Sequence, residues 1–525
     1  MTNRYAIFFV LFTATFINIC VSSNILMITM GGTKSHKIPF WELARGLISR
    51  GHNITFINAF PPDFYMSGLE EITPAGLVFY VKNFTNWDLI GPKMRGEEPV
   101  SPLKTVLYAI EACDELLGDQ EMQALLHSKR HFDLFIMDGA YPECSVGIAS
   151  YLNIPFMYIN TVGFYLNSIS NAGSPTPFSM TPIFARGFTD DMTLFQRTFN
   201  TGFHLVIKIA HYIMVHGFLD NILEKHLGPG LPSVYTVMKN VSFILQNGHF
   251  TVTYPRPYLP NVAEIACIHC KPAKPLPKDL EEFISGGDDN GFIYVSMGSS
   301  VKEGNMPDLF KFMLLRVFDQ LPYRVLWKWD TTMTNLSENV KVSRWLPQQD
   351  ILGHPKLRAF VTHGGLLSMY ETVYHGVPVV TIPVFCDHDA NAAKAELDGY
   401  AIKLSLEQIT VEKIMSAINR IIHDNKYREQ VEYRQRLLRD QSETPLERAI
   451  FWTEYVLRHR GAPHLMSPSR HFSTIEYYLL DVFLVFCLIF ISLYYCVKFT
   501  CRLLFYLVSR LNKYVHVTQV KYKIN

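Results

Sequence analysis

The chain is 525 residues long, more than one domain ordinarily holds, and its formal net charge is +1. That balance excludes a general polyanion binder, because proteins that track nucleic acid carry a basic excess. With 48% of the residues hydrophobic and 13% aromatic, there is ample material for large cores.

The first 22 residues carry one early positive charge, Arg4, and then an apolar run that reaches Ile19, with Cys20 and Ser22 at cleavage-site spacing. Residues 1–22 read as a secretory signal peptide, the alternative being a retained anchor. An apolar strand follows from Asn24 to Met30, and then the loop Gly31-Gly32-Thr33-Lys34-Ser35-His36. A helix is expected from Ile38 to Arg50, ended by Gly51, with a second strand near Ile54 to Asn58. Strand, loop, helix and strand in that order open a parallel, doubly wound sheet. Phe132 to Met137 is a further strand running into Asp138, followed by a helix from Glu143 to Leu152 and a strand near Phe156 to Ile159. These elements define a first α/β domain over residues 23–270.

Proline recurs from Pro255 to Pro260 and again from Lys271 to Pro277, ahead of Gly286-Gly287, which marks a linker over 271–290. A second α/β domain, 291–445, opens with the strand Phe292 to Ser296. Strands near Val325 to Trp329, Ala359 to Thr362 and Val377 to Ile382 then alternate with helices through about Leu438. The fold class is therefore α/β, with two doubly wound Rossmann-like domains facing a cleft in which a ligand is expected to bind.

Residues 446–474 read as a helical segment. Tyr477 to Val497 is apolar apart from Asp481 and Ser492, and at about 1.5 Å per residue it spans a bilayer core. A membrane helix is placed at 475–497, and the tail 498–525 carries Lys498, Arg502, Arg510, Lys513, Lys521 and Lys523. Positive charge marks the cytosolic side, so the body is lumenal in a single-pass type I arrangement. Lys521 and Lys523 resemble a dilysine retrieval signal, which points to the endoplasmic reticulum. Glycosylation sequons at Asn53, Asn83, Asn240 and Asn335 agree with a lumenal body. The lumenal cysteines are Cys113, Cys144, Cys267, Cys270 and Cys386. Cys267 and Cys270 have the spacing of a zinc or redox pair. A structural zinc site needs a second pair, so two ordinary thiols are the favoured reading.

The stretch richest in chemistry runs from Trp345 to Asn391. His363-Gly364-Gly365 is a turn between the strand Ala359 to Thr362 and a helix from Leu366 to His375, which Gly376 stops. A glycine turn at a helix N-terminus offers free N–H groups and the positive end of the dipole, a site suited to a diphosphate. With its neighbours W-L-P-Q-Q-D upstream and V-F-C-D-H-D-A-N downstream, the stretch resembles the signature of the UDP-glycosyltransferases, of the animal UDP-glucuronosyl and UDP-glucosyl type. The resemblance implies a GT-B arrangement and a UDP-sugar co-substrate with no cofactor and no metal. By the same resemblance Trp345 stacks on uracil and Gln348 contacts the ribose. His363 and the Gly365 to Ser368 backbone hold the diphosphate, and Glu371 bridges the ribose hydroxyls. The loop holding Ser299 is expected near the donor phosphate and sugar.

Asp387-His388-Asp389 could hold a divalent metal in an Asp-x-Asp pattern, but it aligns with the family's sugar-contacting Asp-Gln pair. Asp387 and His388 are therefore expected to face the donor hydroxyls. His388 departs from the commoner Gln, which puts glucuronate in doubt and favours glucose, with galactose next. A hydroxyl attacking an anomeric carbon needs a general base, and His36 lies just past the first strand at the switch-point end of the sheet. Asp138 matches the family's partner aspartate, with a helix N-cap as its alternative role. The expected reaction is inverting transfer of a hexose to the hydroxyl of a small lipophilic acceptor. The partners are that donor, that acceptor and the membrane, without nucleic acid, and a homo-oligomer is left open.

Overall fold

The computed structural model describes residues 22–522 except 63, 64, 164, 165, 185, 287–289, 330–332, 334 and 335. Residues 1–21 of the expected signal peptide, Asn335 and Lys523 thus lie outside the described residues.

The first sheet consists of β1 (Asn24–Ile28), β2 (Asn53–Ile57), β3 (Leu69–Ile72), β4 (Leu134–Asp138), β5 (Phe156–Asn160), β6 (Phe243–Gln246) and β7 (Val262–Glu264). Its order is β3-β2-β1-β4-β5-β6-β7, parallel throughout. The second sheet consists of β8 (Phe292–Ser296), β9 (Arg324–Lys328), β10 (Val340–Ser343), β11 (Leu357–Thr362), β12 (Val379–Thr381) and β13 (Ala401–Lys403), in the order β10-β9-β8-β11-β12-β13. Both are the expected doubly wound sheets. The short outer strands β3, β7, β10 and β13 lack the long apolar runs by which central parallel strands announce themselves.

Parallel sheets need cover on both faces, and alternation along the strands supplies it. Ile25 and Met27 of β1 turn to one side, where Phe40, Leu43 and Leu47 of the Lys34–Ser49 helix pack. Leu26 and Ile28 turn to the other, against Ala112, Leu116 and Val146. In the second sheet Ile293, Val295, Val325 and Trp327 pack beneath Phe310, Leu314, Ile414 and Ile418.

Two sequence readings change. The segment at 446–474 contains a helix, Pro445–Arg458, opened by a Thr444 and Glu447 capping box. Its Ala449, Ile450 and Val456 complete the core of the first sheet, and Trp452 stacks on Phe243. It therefore belongs with the first domain although it follows the second in the chain. Cys267 and Cys270 are not ordinary thiols: they form a disulfide with each other, and Cys113 pairs with Cys144. Of the five cysteines from Cys113 to Cys386, Cys386 alone is free.

A separate unit, Pro468–Asn525, contains a helix over Leu480–Tyr522. Its Leu480–His516 portion is long and apolar enough to cross a membrane. The helix continues well past Val497 into the basic tail, because Lys and Arg are good helix formers and no glycine or proline interrupts it.

Candidate active site

Each sheet reverses its winding between its two central strands: β1 and β4 in the first, β8 and β11 in the second. Loops leaving such strands part in opposite directions and open a crevice at their carboxyl ends. His36 follows β1 and Asp138 ends β4; the Met297–Ser300 loop follows β8 and His363-Gly364-Gly365 follows β11.

His36 Nδ1 lies 2.8 Å from Asp138 Oδ2. Asp138 is 2% exposed, and its oxygens are fully engaged. The Thr29 hydroxyl donates to Oδ2 at 3.0 Å, and the Thr161 hydroxyl (2.9 Å) and the Ala140 N–H (3.0 Å) reach Oδ1. Thr161 Oγ1 also sits 2.7 Å from His36 Nδ1. The carboxylate is thus held by the protein from every side, and orienting the ring is the work left to it. That resolves the N-cap alternative: the helix after it begins only at Glu143 and receives no side-chain cap from Pro142. Gly31 is needed here, since a Cβ on it would fall 2.2 Å from the His36 ring. Burial by itself pushes His36 down, but the nearby Asp138 and the more distant Asp387 outweigh it and leave the imidazole above 6.5. Asp387 comes from the second domain, so the two halves meet at this point.

On the facing wall, the turn at His363 is buried. Its Gly364 has φ +86°, and Gly298 of the opposite loop, φ +74°, presses on the His363 ring, where a Cβ would lie 2.3 Å from Cε1. The Leu366–His375 helix starts from Gly365 without a side-chain cap, so its first N–H groups face the crevice. Burial holds His363 well below 6.5, with the neighbouring His388 and Lys328 adding to the effect. His363 is therefore neutral and acts as a hydrogen-bonding group rather than a cation. A positive charge acting on this turn is Lys328, whose Nζ donates to Gly298 O at 3.1 Å. Sequence reasoning passed it over, because it ends a strand and carries no motif.

Further along the same wall, Gln348 Nε2 donates to Ser368 Oγ at 3.0 Å and to the Glu371 carboxylate, while Tyr294 OH donates to Gln348 Oε1 at 3.1 Å. These three expected donor-site residues form one connected patch. Trp345, three residues before Gln348, is 71% exposed. Ser299 is exposed in its loop and is not drawn into this patch.

Asp387 accepts from Asn391 Nδ2 at 3.0 Å, and His388 packs edge-on against His363 with ring centroids 4.4 Å apart. Burial lowers the His388 pKa, and its Nδ1 has no hydrogen-bond partner among the described residues. Asp389 faces Lys403 at 2.9 Å and Lys93 at 3.1 Å, which neutralise it. The Asp-x-Asp pattern therefore does not converge on one point, and among the described residues there is no cluster of metal-ligating side chains.

A cavity of about 110 Å³ is lined by Gly139 and Ala140, which directly follow Asp138 in the chain, by the apolar Phe178, Ile183, Phe184 and Ile207, and by the polar Glu143, His204 and Lys208. No motif marks these residues; only the tertiary fold gathers them. Asn53, Asn83 and Asn240 of the sequons are exposed on the surface.

The family model described as UDP-glucoronosyl and UDP-glucosyl transferase matches residues 92–513. Among curated proteins, the chain is 30% identical to UDP-glucosyltransferase 2 of Dactylopius coccus, over 92% of this chain and 95% of the relative. It is 32% identical to human UDP-glucuronosyltransferase 2B17, over 86% and 88%. It is also 30% identical to human 2-hydroxyacylsphingosine 1-beta-galactosyltransferase, over 98% and 92%. Among solved structures, the spinosyn forosaminyltransferase SpnP aligns with a TM-score of 0.57 at 14% identity, covering 83% of this chain and all of that one. The kitacinnamycin glycosyltransferase aligns with a TM-score of 0.55 at 19% identity, covering 82% and 98%. The structural likenesses bear on the fold, which is GT-B.

Proposed function

Because the chain belongs to the UDP-glucuronosyl and UDP-glucosyl transferase family and is a UDP-glycosyltransferase, we propose that it transfers glucose from UDP-glucose, with inversion, to the hydroxyl of a small lipophilic acceptor. The observation that carries this reading is the meeting of His36 and Asp138 with Asp387 in one cleft, opposite the His363 to Glu371 wall.

In this scheme Trp345 stacks on uracil and Gln348 and Glu371 engage the ribose. His363, the N–H groups from Gly365 to Ser368, and Lys328 receive the diphosphate. Neutral His36 takes the acceptor proton, and the freed oxygen attacks the anomeric carbon from the face opposite UDP. Asp138 stabilises the imidazolium that results. Charge building on the departing UDP is met by the helix N-terminus. Every step is carried by side chains and backbone N–H groups.

Three features support an uncharged hexose. His388 is neutral and keeps a free nitrogen for a sugar hydroxyl, whereas a glucuronate carboxylate would call for a cation. The cations nearest that end, Lys93 and Lys403, are both engaged by Asp389. Asp387 would repel a carboxylate. Galactose remains second, since several relatives carry galactosyltransferase in their names. The largely apolar cavity at Gly139 and Ala140 supports a phenol-sized lipophilic acceptor head. The apolar helix over Leu480–His516 and its basic tail support a type I protein of the endoplasmic reticulum membrane with a lumenal body in lipid or xenobiotic conjugation.

The test is to incubate microsomes carrying the chain with labelled UDP-glucose and a panel of phenols, and to repeat it with His36→Ala. Product from the wild type and none from the variant is expected. Undiminished turnover by the variant refutes the proposed base, and a panel silent with every donor favours a membrane-bound binder of sugar nucleotides or lipophiles. Protease protection and loss of mass on deglycosylation check the orientation.

A further inference from the structure

The loop after β7 supplies a side chain to the nucleotide site that the donor motif does not contain. His269 is 2% exposed and comes from the end of the first domain, far in sequence from the donor helix. Its Nε2 lies 3.3 Å from Glu371 Oε1, although ring and carboxylate are not aligned for a hydrogen bond, and neither ring nitrogen has a hydrogen-bond partner among the described residues. A buried imidazole left this way costs free energy, so its position calls for an explanation.

The surrounding loop is built to hold it there. Cys267 and Cys270 are joined across the turn, and Cys267 packs with Met369, Tyr370 and Val373 of the donor helix. The side-chain amide of Gln349, next to Gln348, clasps the loop on both sides of Cys270. It donates to His269 O at 3.1 Å and accepts from the Lys271 N–H at 2.7 Å. Lys271 Nζ then anchors to Glu42 at 2.6 Å. Glu371 is thereby approached from two directions, by Gln348 on Oε2 and by His269 at Oε1.

We infer that His269 is a positioning residue for UDP-sugar binding: it donates from Nε2 to Glu371 Oε1 and holds the carboxylate so that its outward lone pairs meet both ribose hydroxyls. The inference rests on the reading of Glu371 as the ribose ligand. A carboxylate asked to accept two hydroxyls at once has to be fixed in rotation, and a donor on each oxygen fixes it. The 3.3 Å contact is expected to shorten as the ribose seats.

The test uses the full-length protein in detergent, with UDP binding by calorimetry and initial rates for donor and acceptor. His269→Ala is expected to raise the UDP Kd and the donor KM about tenfold, with acceptor KM unchanged and kcat within about threefold. His269→Gln, whose amide can also donate, is expected to recover most of that loss. In a Glu371→Gln background the further change to His269→Ala is expected to add less than about twofold. Wild-type UDP binding with an unaltered Kd in His269→Ala overturns the inference while leaving the ribose role of Glu371 intact. So does a loss confined to kcat or to thermal stability, or full additivity in the double variant. Unchanged UDP binding in Glu371→Gln alone overturns the ribose assignment on which it depends.

Discussion

Replacing Asp138 by Asn tests the catalytic pair without emptying its site. The wild-type carboxylate accepts four contacts: from the Thr29 and Thr161 hydroxyls, the Ala140 N–H and His36. An amide of the same shape keeps the packing but presents one acceptor oxygen and no charge. Two opposite charges roughly 4 Å apart, at an effective dielectric of about 20, attract by about 4 kcal/mol, which is three decades of rate if the imidazolium is fully formed in the transition state. A partly transferred proton realises part of this, so kcat should fall about 10²–10³-fold. The pH profile carries a second signature. His36 must be neutral to act, and its pKa lies above 6.5, because Asp138 and Asp387 more than cancel the lowering by burial. Activity of the wild type should therefore fall on the acid side as the pH drops through that raised value. In Asp138→Asn this limb should move to lower pH. For stability the sign is opposite in sense: a raised histidine pKa stabilises the fold fully at low pH, and the gain disappears as pH rises through the folded value. The deficit in Tm of the variant should accordingly be larger at about pH 5.5 than at about pH 9. Rates of kcat and kcat/KM across that range, with melting curves in parallel, give the answer. Turnover within tenfold of wild type, or an acid limb that does not move, would refute the pairing.

Trp345→Ala should raise the donor KM about tenfold, the worth of about 1–3 kcal/mol of base stacking, and leave Tm unchanged because the indole is already 71% exposed. His388→Gln should shift the ratio of kcat/KM for UDP-glucuronate over UDP-glucose upward by about tenfold, read from competing donors; a ratio that stays put removes His388 from donor selection. Cys144→Ser opens the bridge between the Pro102–Gly118 and Glu143–Leu152 helices, whose cysteines are 31 residues apart. It should cost about 3 kcal/mol in denaturant unfolding, with donor KM unaffected. Ile207→Trp, which fills the cavity beside Gly139, should raise the acceptor KM at least fivefold without changing UDP binding, as separate titrations of the two substrates would report.

Much of this protein could be read along the chain, and the reason is local. Central parallel strands such as Leu134–Asp138 and Phe292–Ser296 are buried on both faces and appear as unbroken apolar runs. A strand-to-helix turn such as His363-Gly364-Gly365 requires glycine wherever the backbone is left-handed or a side chain presses on it. The C-terminal helix long and apolar enough to cross a membrane is legible from length and hydropathy alone. His36 and Asp138 could be placed because each directly follows or ends a strand, and the switch point of a doubly wound sheet brings such ends together.

What the tertiary structure decided lies between segments distant in sequence. The Pro445–Arg458 helix returns to cover the first sheet because its Ala449, Ile450 and Trp452 fit that surface, a matter of shape that the sequence near it does not encode. The partnering of Cys267 with Cys270 depends on a turn whose geometry is fixed by contact with Tyr370 and Val373 of the other domain. Burial beside His388 and Lys328 makes His363 neutral, and Asp138 and Asp387 raise the His36 pKa against the pull of burial; both effects exist only once segments distant in sequence are folded together. Lys328 and His269 belong to the same class. Neither stands in a motif, and Lys328 reaches Gly298, and His269 reaches Glu371, only because the chain folds a distant strand end and a distant turn together.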